Sequence, residues 1–323
     1  MKPENLDLVL LYKMALKIRL VEEEIAKRYP EGEMRCPVHL SIGQESTSAI
    51  FSLIQLPEDT AISTHRAHAH YLAKQGNLKK MIAEIYGKVT GCSRGRGGSM
   101  HLIDLSVNFL GSSAIVGNSI PIGVGAAYAH KLQKNNAVSF VFIGDGAVEE
   151  GVFYESANFA AVHKLPVVFI CENNLYSVYT GLDARQPPNR SISKLAGAIG
   201  LQAEQVDSFN YRESFEVLNK LSNKARNGEG PVFIELLTYR VLEHCGPDDD
   251  DSLGYRPESE ISEYKFRDVI KKIEEELISQ NIANQNSLNL IKSSIVKEID
   301  LAFSQAKADP FPTLDDVLGG VYA

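Results

Sequence analysis

The sequence contains no tryptophan and only four cysteines among its 323 residues. No two cysteines form a CxxC pair, which excludes a zinc knuckle and a thioredoxin-type redox site. So few cysteines in a chain of this length also exclude a disulfide scaffold, and reduced thiols fit a reducing compartment. The cysteines are Cys36, Cys92, Cys171 and Cys245.

Long apolar runs and excess basic charge are absent as well. No stretch approaches 18 apolar residues, and the first seven residues are acidic rather than arginine-rich, so we expect neither a membrane span nor a targeting peptide. Lys and Arg total 33 against 41 Asp and Glu, a formal charge of −8, and a surface of that sign repels nucleic acid and anionic membranes. We therefore predict a cytoplasmic protein that binds neither nucleic acid nor a membrane.

The remaining composition, 44% hydrophobic and 23% charged, is typical of a globular domain. The length allows one large α/β domain or two smaller ones. Because no repeat or linker divides the chain, we expect a single domain over residues 1–323. Its core is predicted at about residues 6–258, and a helical extension at about residues 259–323.

The hydrophobic pattern predicts helices and strands along most of the chain. The predicted helices cover residues 6–29, 43–55, 78–87, 123–132, 211–226, 265–277 and 288–306. Short apolar runs at residues 60–63 and 231–239 predict strands. Residues 91–117 are rich in glycine and are predicted to form a long loop, which is usually functional in a compact domain.

The clearest pattern is a βαβ unit, which predicts parallel, buried strands. Its parts are a strand at 138–143, the turn Gly144-Asp145-Gly146, a helix at 148–163 and a strand at 167–171. Ligands bind at the carboxyl ends of such strands. Asp145 lies at the first of these ends, and Asn173 and Asn174 follow the second.

This arrangement predicts a magnesium–diphosphate site. The carboxylate of Asp145, the amide oxygen of Asn174 and a backbone carbonyl near Tyr176 are oxygen ligands that suit Mg²⁺. The glycines beside Asp145 allow a ligand to approach the backbone closely. A helix beginning near Val148 would direct its N-terminal amides towards the same anion.

These residues resemble the thiamine diphosphate signature. The wider sequence is similar to the alpha subunit of the first component of the 2-oxo acid dehydrogenases, the pyruvate, acetoin and branched-chain family. The similarity covers roughly residues 6–260 and is carried by His39–Glu45, His65–His68, Gly95–His101, Ala114–Gly117, Leu165–Asn174 and Thr238–Arg240. It implies the α/β thiamine diphosphate-binding fold, with a mostly parallel central sheet flanked by helices.

The resemblance also implies residue roles. Mg²⁺ would be bound by Asp145, Asn174 and the Tyr176 carbonyl, and the diphosphate by Arg66, whose guanidinium can donate two parallel hydrogen bonds. The full set of implied cofactor contacts is His65, Arg66, Ala114, Val116, Gly144, Asp145, Gly146, Ala147, Asn174, Tyr176 and His244. The implied catalytic histidines are His39, His68 and His244.

In such enzymes thiamine diphosphate accepts the electrons released when a 2-oxo acid loses carbon dioxide, and the acyl unit passes to the lipoyl group of an acyltransferase. The resemblance implies a beta subunit that supplies a glutamate to the cofactor. We therefore expect two alpha and two beta chains, with this chain inactive alone. The donor is predicted to be a small 2-oxo acid or acetoin.

The sequence differs from the family pattern in three places, so neither the substrate nor the acyl acceptor can be predicted from the resemblance. His65 stands where the family commonly has tyrosine, and Ala69 where it often has glycine. After His244, the segment Cys245–Asp251 stands where the family typically has a serine-rich segment. Its four aspartates predict either a solvated loop or a loop adapted to another partner. The second enzymatic hypothesis is therefore acyl transfer to a small molecule such as a keto-sugar.

Other functions fit less well. A nicotinamide-binding Rossmann motif would need glycine where Glu149 stands, and Asp145 would repel a pyrophosphate without a metal. Zinc binding by His65, His68, His70 and His101 is disfavoured because no cysteine or carboxylate has a familiar spacing to them. Arg94 and Arg96 favour a mobile loop that closes over the site rather than a nucleic-acid arm.

The alternative to an enzyme is a catalytically silent scaffold subunit. The combination of Arg66, Asp145, Asn174 and His244 argues against it, because a decayed site would not need these polar groups.

Overall fold

The computed structural model describes residues 6–264 and 266–318. The helices are α1 (Leu8–Arg28), α2 (Glu45–Ile54), α3 (His68–Ala73), α4 (Leu78–Ile85), α5 (Ser119–Gln133), α6 (Gly151–Val162), α7 (Leu182–Arg185), α8 (Ile192–Ile199), α9 (Tyr211–Arg226), α10 (Glu258–Tyr264), α11 (Val269–Ser279), α12 (Gln285–Ala308) and α13 (Leu314–Leu318). The strands are β1 (Thr60–Ser63), β2 (Phe109–Ser112), β3 (Ser139–Gly144), β4 (Val167–Asn173), β5 (Tyr176–Ser177), β6 (Thr180–Gly181), β7 (Gln202–Asp207) and β8 (Val232–Leu237).

A parallel sheet forms the centre of the chain. Its strand order is β2-β1-β3-β4-β8-β7, and every neighbouring pair is parallel. Helices cover both faces, which explains why β3 and β4 are apolar along most of their length instead of alternating. The predicted α/β fold with a mostly parallel sheet is confirmed. The predicted single domain over residues 1–323 stays a prediction.

The face of β3 that carries Phe142 packs on aromatic and imidazole rings. Phe142 stacks on His70 with ring centroids 3.8 Å apart and meets Phe51 of α2 edge-on at 5.0 Å. The opposite face contacts α5, where a Cβ on Gly123 would lie only 2.2 Å from Cγ2 of Val141. Glycine at position 123 therefore lets the helix approach the sheet, and this brings the start of α5 close to the strand ends.

The first helix packs against the C-terminal helices. Asp7 caps α1 by accepting hydrogen bonds from two backbone amides of its first turn, and the helix ends before Pro30 as predicted. Lys17 of α1 forms an ion pair with Glu298 of α12 at 2.8 Å, and the Arg28 guanidinium lies 4.9 Å from the Phe303 ring. The C-terminal helices thus share a hydrophobic core with α1.

Several predicted elements need correction. The predicted loop over residues 91–117 contains β2, which pairs with β1 at the sheet edge. The helix predicted from 148 begins at Gly151, because Asp145–Glu149 form a 3-10 turn. The elements α3, α8 and β7 were not predicted; β7 reads Gln-Ala-Glu-Gln-Val-Asp, which carries too few apolar residues to indicate a strand.

Two of the C-terminal helices were predicted within a few residues of their observed bounds. They are α11 and α12, predicted at residues 265–277 and 288–306. Lys265, the predicted start of the first, lies outside the described residues. Among the described residues, every helix is too short or too polar to cross a bilayer.

Candidate active site

A cleft opens at the carboxyl ends of β1, β3 and β4. This is where parallel sheets commonly bind ligands, because the loops after the strands diverge there. The lining residues are Gln44, Thr64, His65, Arg66, Ser113, Ile115, Val116, Gly117, Ile143, Gly144, Asp145, Gly146, Ala147, Glu172, Asn174, Tyr176, Ser177 and His244.

The structure places most predicted site residues in this cleft. Of the thirteen, ten line it: His65, Arg66, Val116, Gly144, Asp145, Gly146, Ala147, Asn174, Tyr176 and His244. The other three, His39, His68 and Ala114, are absent from its lining. Ten of the thirteen predicted residues therefore share one cleft.

Asp145 follows β3 and is the most deeply buried carboxylate of the cleft. It is 3% exposed, and burial raises the pKa of its carboxyl above the usual value. The Arg185 guanidinium pairs with this carboxylate and also contacts Glu149 at 2.6 Å. Arg185 further donates to the carbonyl of Thr180 at 3.0 Å. The β5–β6 hairpin and α7 thus place the Arg185 guanidinium at the end of β3.

Asn174 lies beyond the end of β4, and its amide is held in one orientation. Its Oδ1 accepts a hydrogen bond from the backbone amide of Tyr176 at 3.2 Å, and its Nδ2 donates to Oε1 of Gln44 at 3.1 Å. Tyr176 begins β5, and its hydroxyl donates to Glu260 at 2.8 Å. Because β3 and β4 pair through Gly144 and Glu172, the groups that follow them emerge at one edge of the sheet.

Arg66 links two loops beneath the cleft. Its guanidinium donates to the carbonyl of Leu40 at 2.5 Å and to the carbonyl of His244 at 3.1 Å. The residue is 6% exposed, and burial together with the nearby charge of Arg240 lowers its pKa to about 10. Arg66 is therefore charged at neutral pH and fixes the segment that carries His244.

Three histidine rings meet beside Arg66. The ring centroid of His39 lies 4.7 Å from that of His65 and 5.2 Å from that of His244, and the last two are 5.3 Å apart. Burial and the nearby Arg66 charge lower the pKa values of His39, His65 and His244 to about 2, 4 and 3. All three imidazoles are therefore neutral at pH 7.

His68 points away from the cleft. Its Nδ1 lies 3.2 Å from Oε1 of Glu22, and its Nε2 lies 2.7 Å from the hydroxyl of Ser99. The side chain is completely buried. These contacts join α1 to the glycine-rich segment, so the imidazole supports the wall of the site from behind.

The loop after His244 is only partly solvated, and its proposed adaptation to another partner stays a prediction. Asp250 is buried instead of solvated and forms ion pairs with Arg240 at 3.3 Å and with Arg256 at 3.4 Å. The hydroxyl of Tyr255 donates to the same carboxylate at 2.6 Å. Asp248 and Asp249, by contrast, are exposed. One of the four aspartates therefore anchors the loop internally, which a run of acidic residues does not reveal.

Sequence reasoning missed several polar groups of the site. Gln44, Thr64 and Glu172 line the cleft, and Arg185 reaches Asp145 from outside its lining. Gln44 lies within the motif His39–Glu45 and could have been noticed there. No local pattern marked Arg185, because its contact depends on how the β5–β6 hairpin folds back.

The donor set fits a diphosphate held by Mg²⁺. Asp145 is a buried carboxylate that needs a cation, and the Arg185 guanidinium supplies that charge in this structure. Nothing lies within 4 Å of where a Cβ on Gly144 would stand, so a ligand can approach the backbone there. Arg66 and the neutral histidines provide hydrogen-bond donors for an anion.

Comparisons with known proteins agree on one family. The model of the family described as "Dehydrogenase E1 component" matches residues 12–315. The chain is 34% identical over 321 residues to the pyruvate dehydrogenase E1 component subunit alpha of Rickettsia typhi, covering 99% of this chain and 97% of that protein. It is 35% identical to the chloroplastic subunit alpha-3 of Arabidopsis thaliana, covering 100% of this chain and 75% of that protein. The subunit alpha of Porphyra purpurea is 36% identical, with coverages of 98% and 93%.

Proposed function

The chain belongs to the dehydrogenase E1 component family of thiamine diphosphate-dependent 2-oxo acid dehydrogenases, and we propose that it is an alpha subunit that decarboxylates pyruvate or a similar small 2-oxo acid. The names of the relatives support pyruvate as donor. The observation that carries the proposal is the convergence of Asp145, Asn174 and Arg66 on one cleft. Transfer of the acyl unit to a lipoyl acyltransferase completes the proposed reaction.

We assign the cofactor's diphosphate and Mg²⁺ to the strand-end part of the cleft. Asp145, the Asn174 amide oxygen and the Tyr176 carbonyl would bind Mg²⁺. Arg66, with the backbone at Gly144, Gly146 and Ala147, would hold the diphosphate, and His65 and His244 would donate to it. Val116, which is 52% exposed, would contact the aminopyrimidine ring beside Ala114. The bound cofactor supplies an electron sink for decarboxylation.

The histidines are proposed to handle protons and orient the substrate. A neutral imidazole carries a proton on one nitrogen and a lone pair on the other, so it can donate to a carboxylate or oxo group and can accept a proton. His244 lines the cleft, and its ring lies 5.2 Å from that of His39, which is not part of the lining. His68, held by Glu22 and Ser99, is proposed to position the glycine-rich wall.

An exposed apolar patch supports a beta partner and the proposed assembly of two alpha and two beta chains. It lies on α5 and α6, where the rings of Tyr128 and Phe159 are 5.8 Å apart and both are partly exposed. Ile122, Leu132 and Val162 are further exposed apolar residues of these two helices. Large exposed apolar residues on neighbouring helices are typical of protein interfaces. Ile115 and Val116 are also exposed where they line the cleft, so a partner could close that side.

Analysis of the reaction products distinguishes between the candidate acyl donors and between the candidate acyl acceptors. Acetoin as donor, and a small molecule such as a keto-sugar as acceptor, stay alternatives to pyruvate and a lipoyl group. Relatives include bacterial and chloroplast proteins, so the cytoplasmic compartment stays a prediction.

The decisive test is calorimetric titration of thiamine diphosphate with Mg²⁺ into the chain, with and without its candidate beta partner. We expect Mg²⁺-dependent binding that strengthens with the partner and is lost in Asp145→Asn. The carboxylate of Asp183 is exposed on α7, and Asp183→Asn is the matched control that should bind normally. Failure of the assembled protein to bind the cofactor would support the silent-scaffold alternative instead.

A further inference from the structure

A buried carboxylate lies behind the glycine-rich part of the chain, outside the cleft. Glu84, near the end of α4, is completely buried and is absent from the lining of the cleft. Its Oε2 accepts hydrogen bonds from the backbone amides of Ser93 at 2.7 Å and Gly95 at 2.9 Å. Its Oε1 accepts from the amides of Gly97 at 2.7 Å and Gly98 at 3.1 Å. Four backbone amides therefore converge on one side chain.

We propose that Glu84 is a positioning residue that holds residues 93–101, the anchored segment, and through them one wall of the cleft. The physical basis is the charge of its carboxylate. A buried carboxylate is costly unless its oxygens are hydrogen-bonded, and a bond from an amide to a charged oxygen is stronger than one between neutral groups. Because the four donors lie at different points along the anchored segment, all of them reach Glu84 in only one backbone conformation.

Two glycines allow the chain to wrap closely around this carboxylate. A Cβ on Gly91 would lie 2.7 Å from Cα of Glu84, and Gly95 has a φ of +75°. Both positions disfavour larger residues. The glycines therefore reflect close packing and a left-handed turn. In the proposed role the anchored segment is a fixed wall rather than the mobile loop that Arg94 and Arg96 favoured in the sequence.

The anchored segment is joined to the cleft through Ser112, at the end of β2. The Ser112 hydroxyl donates to the carbonyl of Met100 at 2.8 Å and accepts from the backbone amide of Leu102 at 2.9 Å. The hydroxyl of Ser93 donates to the carbonyl of His101 at 2.8 Å, which closes the segment on itself. The residues soon after Ser112 line the cleft, and they are Ser113, Ile115, Val116 and Gly117. A displacement of the anchored segment should therefore move this wall.

The wall concerns only one end of the proposed cofactor site, and in this respect the inference rests on the proposed function. Val116 is assigned to the aminopyrimidine ring, whereas Asp145 and Arg66 are assigned to Mg²⁺ and the diphosphate. The amides that bind Glu84 belong to the anchored segment and not to the diphosphate end. Loss of this anchor should weaken binding of thiamine diphosphate. Binding of inorganic diphosphate with Mg²⁺ should not change, because that ligand has no aminopyrimidine.

The first experiment needs no cofactor and measures how firmly the anchored segment is held. Trypsin cleaves after arginine, and Arg94 and Arg96 are exposed, but cleavage requires the backbone around them to open. Glu84→Gln keeps the size of the side chain and turns an NH₂ group towards two of the amide donors. We expect cleavage of the full chain at these arginines, identified by mass spectrometry, to become roughly tenfold faster. The exposed Glu216 of α9 provides the control Glu216→Gln, which should be cleaved as slowly as the wild type.

The second experiment separates the two ends of the cofactor site. Calorimetry in the presence of Mg²⁺ and the candidate beta partner compares thiamine diphosphate with inorganic diphosphate. In Glu84→Gln we expect the Kd for thiamine diphosphate to rise roughly tenfold, and that for inorganic diphosphate to stay within about twofold of the wild-type value. Equal weakening of both ligands would show general damage to the site and would overturn the proposal.

A milder variant keeps the proposal testable if circular dichroism shows that Glu84→Gln does not fold. Ser112→Ala removes the hydroxyl that joins the anchored segment to the wall. We expect about three- to tenfold weaker binding of thiamine diphosphate, with unchanged binding of inorganic diphosphate. Ser279→Ala, at an exposed serine of α11, should bind both ligands as the wild type does.

The outcomes distinguish this inference from the proposed function. Unchanged cleavage in folded Glu84→Gln would overturn the anchoring. Faster cleavage together with normal binding of thiamine diphosphate would overturn the link between the anchored segment and the cleft. If the wild-type assembly binds neither ligand, the proposed function fails, and the protease result still decides whether Glu84 holds the segment.

Discussion

The guanidinium of Arg185 pairs with the buried carboxylate of Asp145, although 40 residues separate the two along the chain. Burial disfavours the charged form of Asp145, and Arg185 favours it. Arg185 is therefore an internal counter-ion for a carboxylate that we assign to Mg²⁺.

Removing this counter-ion should destabilise the metal-free chain. Arg185→Gln leaves the Asp145 carboxylate buried and unpaired, and we expect the free energy of unfolding to fall by roughly 1–3 kcal/mol. Adding Mg²⁺ should raise the Tm of this variant more than that of the wild type, because the metal replaces the lost charge. Thermal denaturation with and without Mg²⁺ measures both effects. The exposed Arg190 provides the control Arg190→Gln, and an equal loss in that variant would contradict the assigned role.

Arg66 should be irreplaceable by lysine. A single ammonium cannot reproduce the planar fork that bridges the carbonyls of Leu40 and His244 and donates to phosphate. For Arg66→Lys in the assembled protein we expect at least tenfold weaker binding of thiamine diphosphate, measured by calorimetry. Arg212→Lys, at an exposed ion pair on α9, should bind as the wild type does. Normal affinity in Arg66→Lys would argue that the diphosphate lies elsewhere.

Two glycines of α5 should respond to alanine in opposite directions. Gly123→Ala places a methyl group 2.2 Å from Val141, and we expect a loss of about 1–3 kcal/mol as α5 is pushed from β3. Gly125 has nothing within 4 Å of a Cβ, so Gly125→Ala should stabilise the chain by about 0.5–1 kcal/mol through its helix propensity. Urea denaturation of both variants measures these changes. Equal effects would mean that the sheet and helix are less tightly packed than described.

Lys74 should make stability depend on alkaline pH. Its ammonium donates to Gln55 at 2.6 Å and to the Leu56 carbonyl at 3.1 Å, but burial lowers its pKa from 10.5 to about 8. Between these two values the unfolded chain binds a proton that the folded chain does not, so this contribution to stability rises with pH. Below pH 8 the folded chain carries the full cost of the buried charge.

The comparison variant is Lys74→Met, which lacks this titration. Between pH 7 and pH 10 we expect the wild type to gain roughly 1–3 kcal/mol relative to it in denaturant unfolding. Lys79→Met, at an exposed position on α4, controls for the general loss of a lysine and should show no such difference in slope. A difference that stays constant with pH would show that the pKa of Lys74 is not lowered.

Local patterns in the sequence predicted the strand ends of the site but not the contacts around them. The apolar runs of β3 and β4 and the polar residues that follow them are contiguous in sequence, which is why Asp145 and Asn174 could be placed. The pairing with Arg185 and the burial of Asp250 depend on how loops fold back. The strand β7 lies at an edge of the sheet and is largely polar. Its sequence therefore lacks the apolar pattern from which a strand is predicted.

The packing of α1 on the C-terminal helices has a consequence for synthesis. The first helix to leave the ribosome can bury its apolar side fully only after α11 and α12, more than two hundred residues later, have also emerged. Until then part of this apolar side, which includes Leu11, Ile18 and Ile25 of the finished core, lacks its final packing partners. Because these contacts join distant segments, the chain must close a long loop before they form, and during that interval α1 is an exposed amphipathic helix available to chaperones.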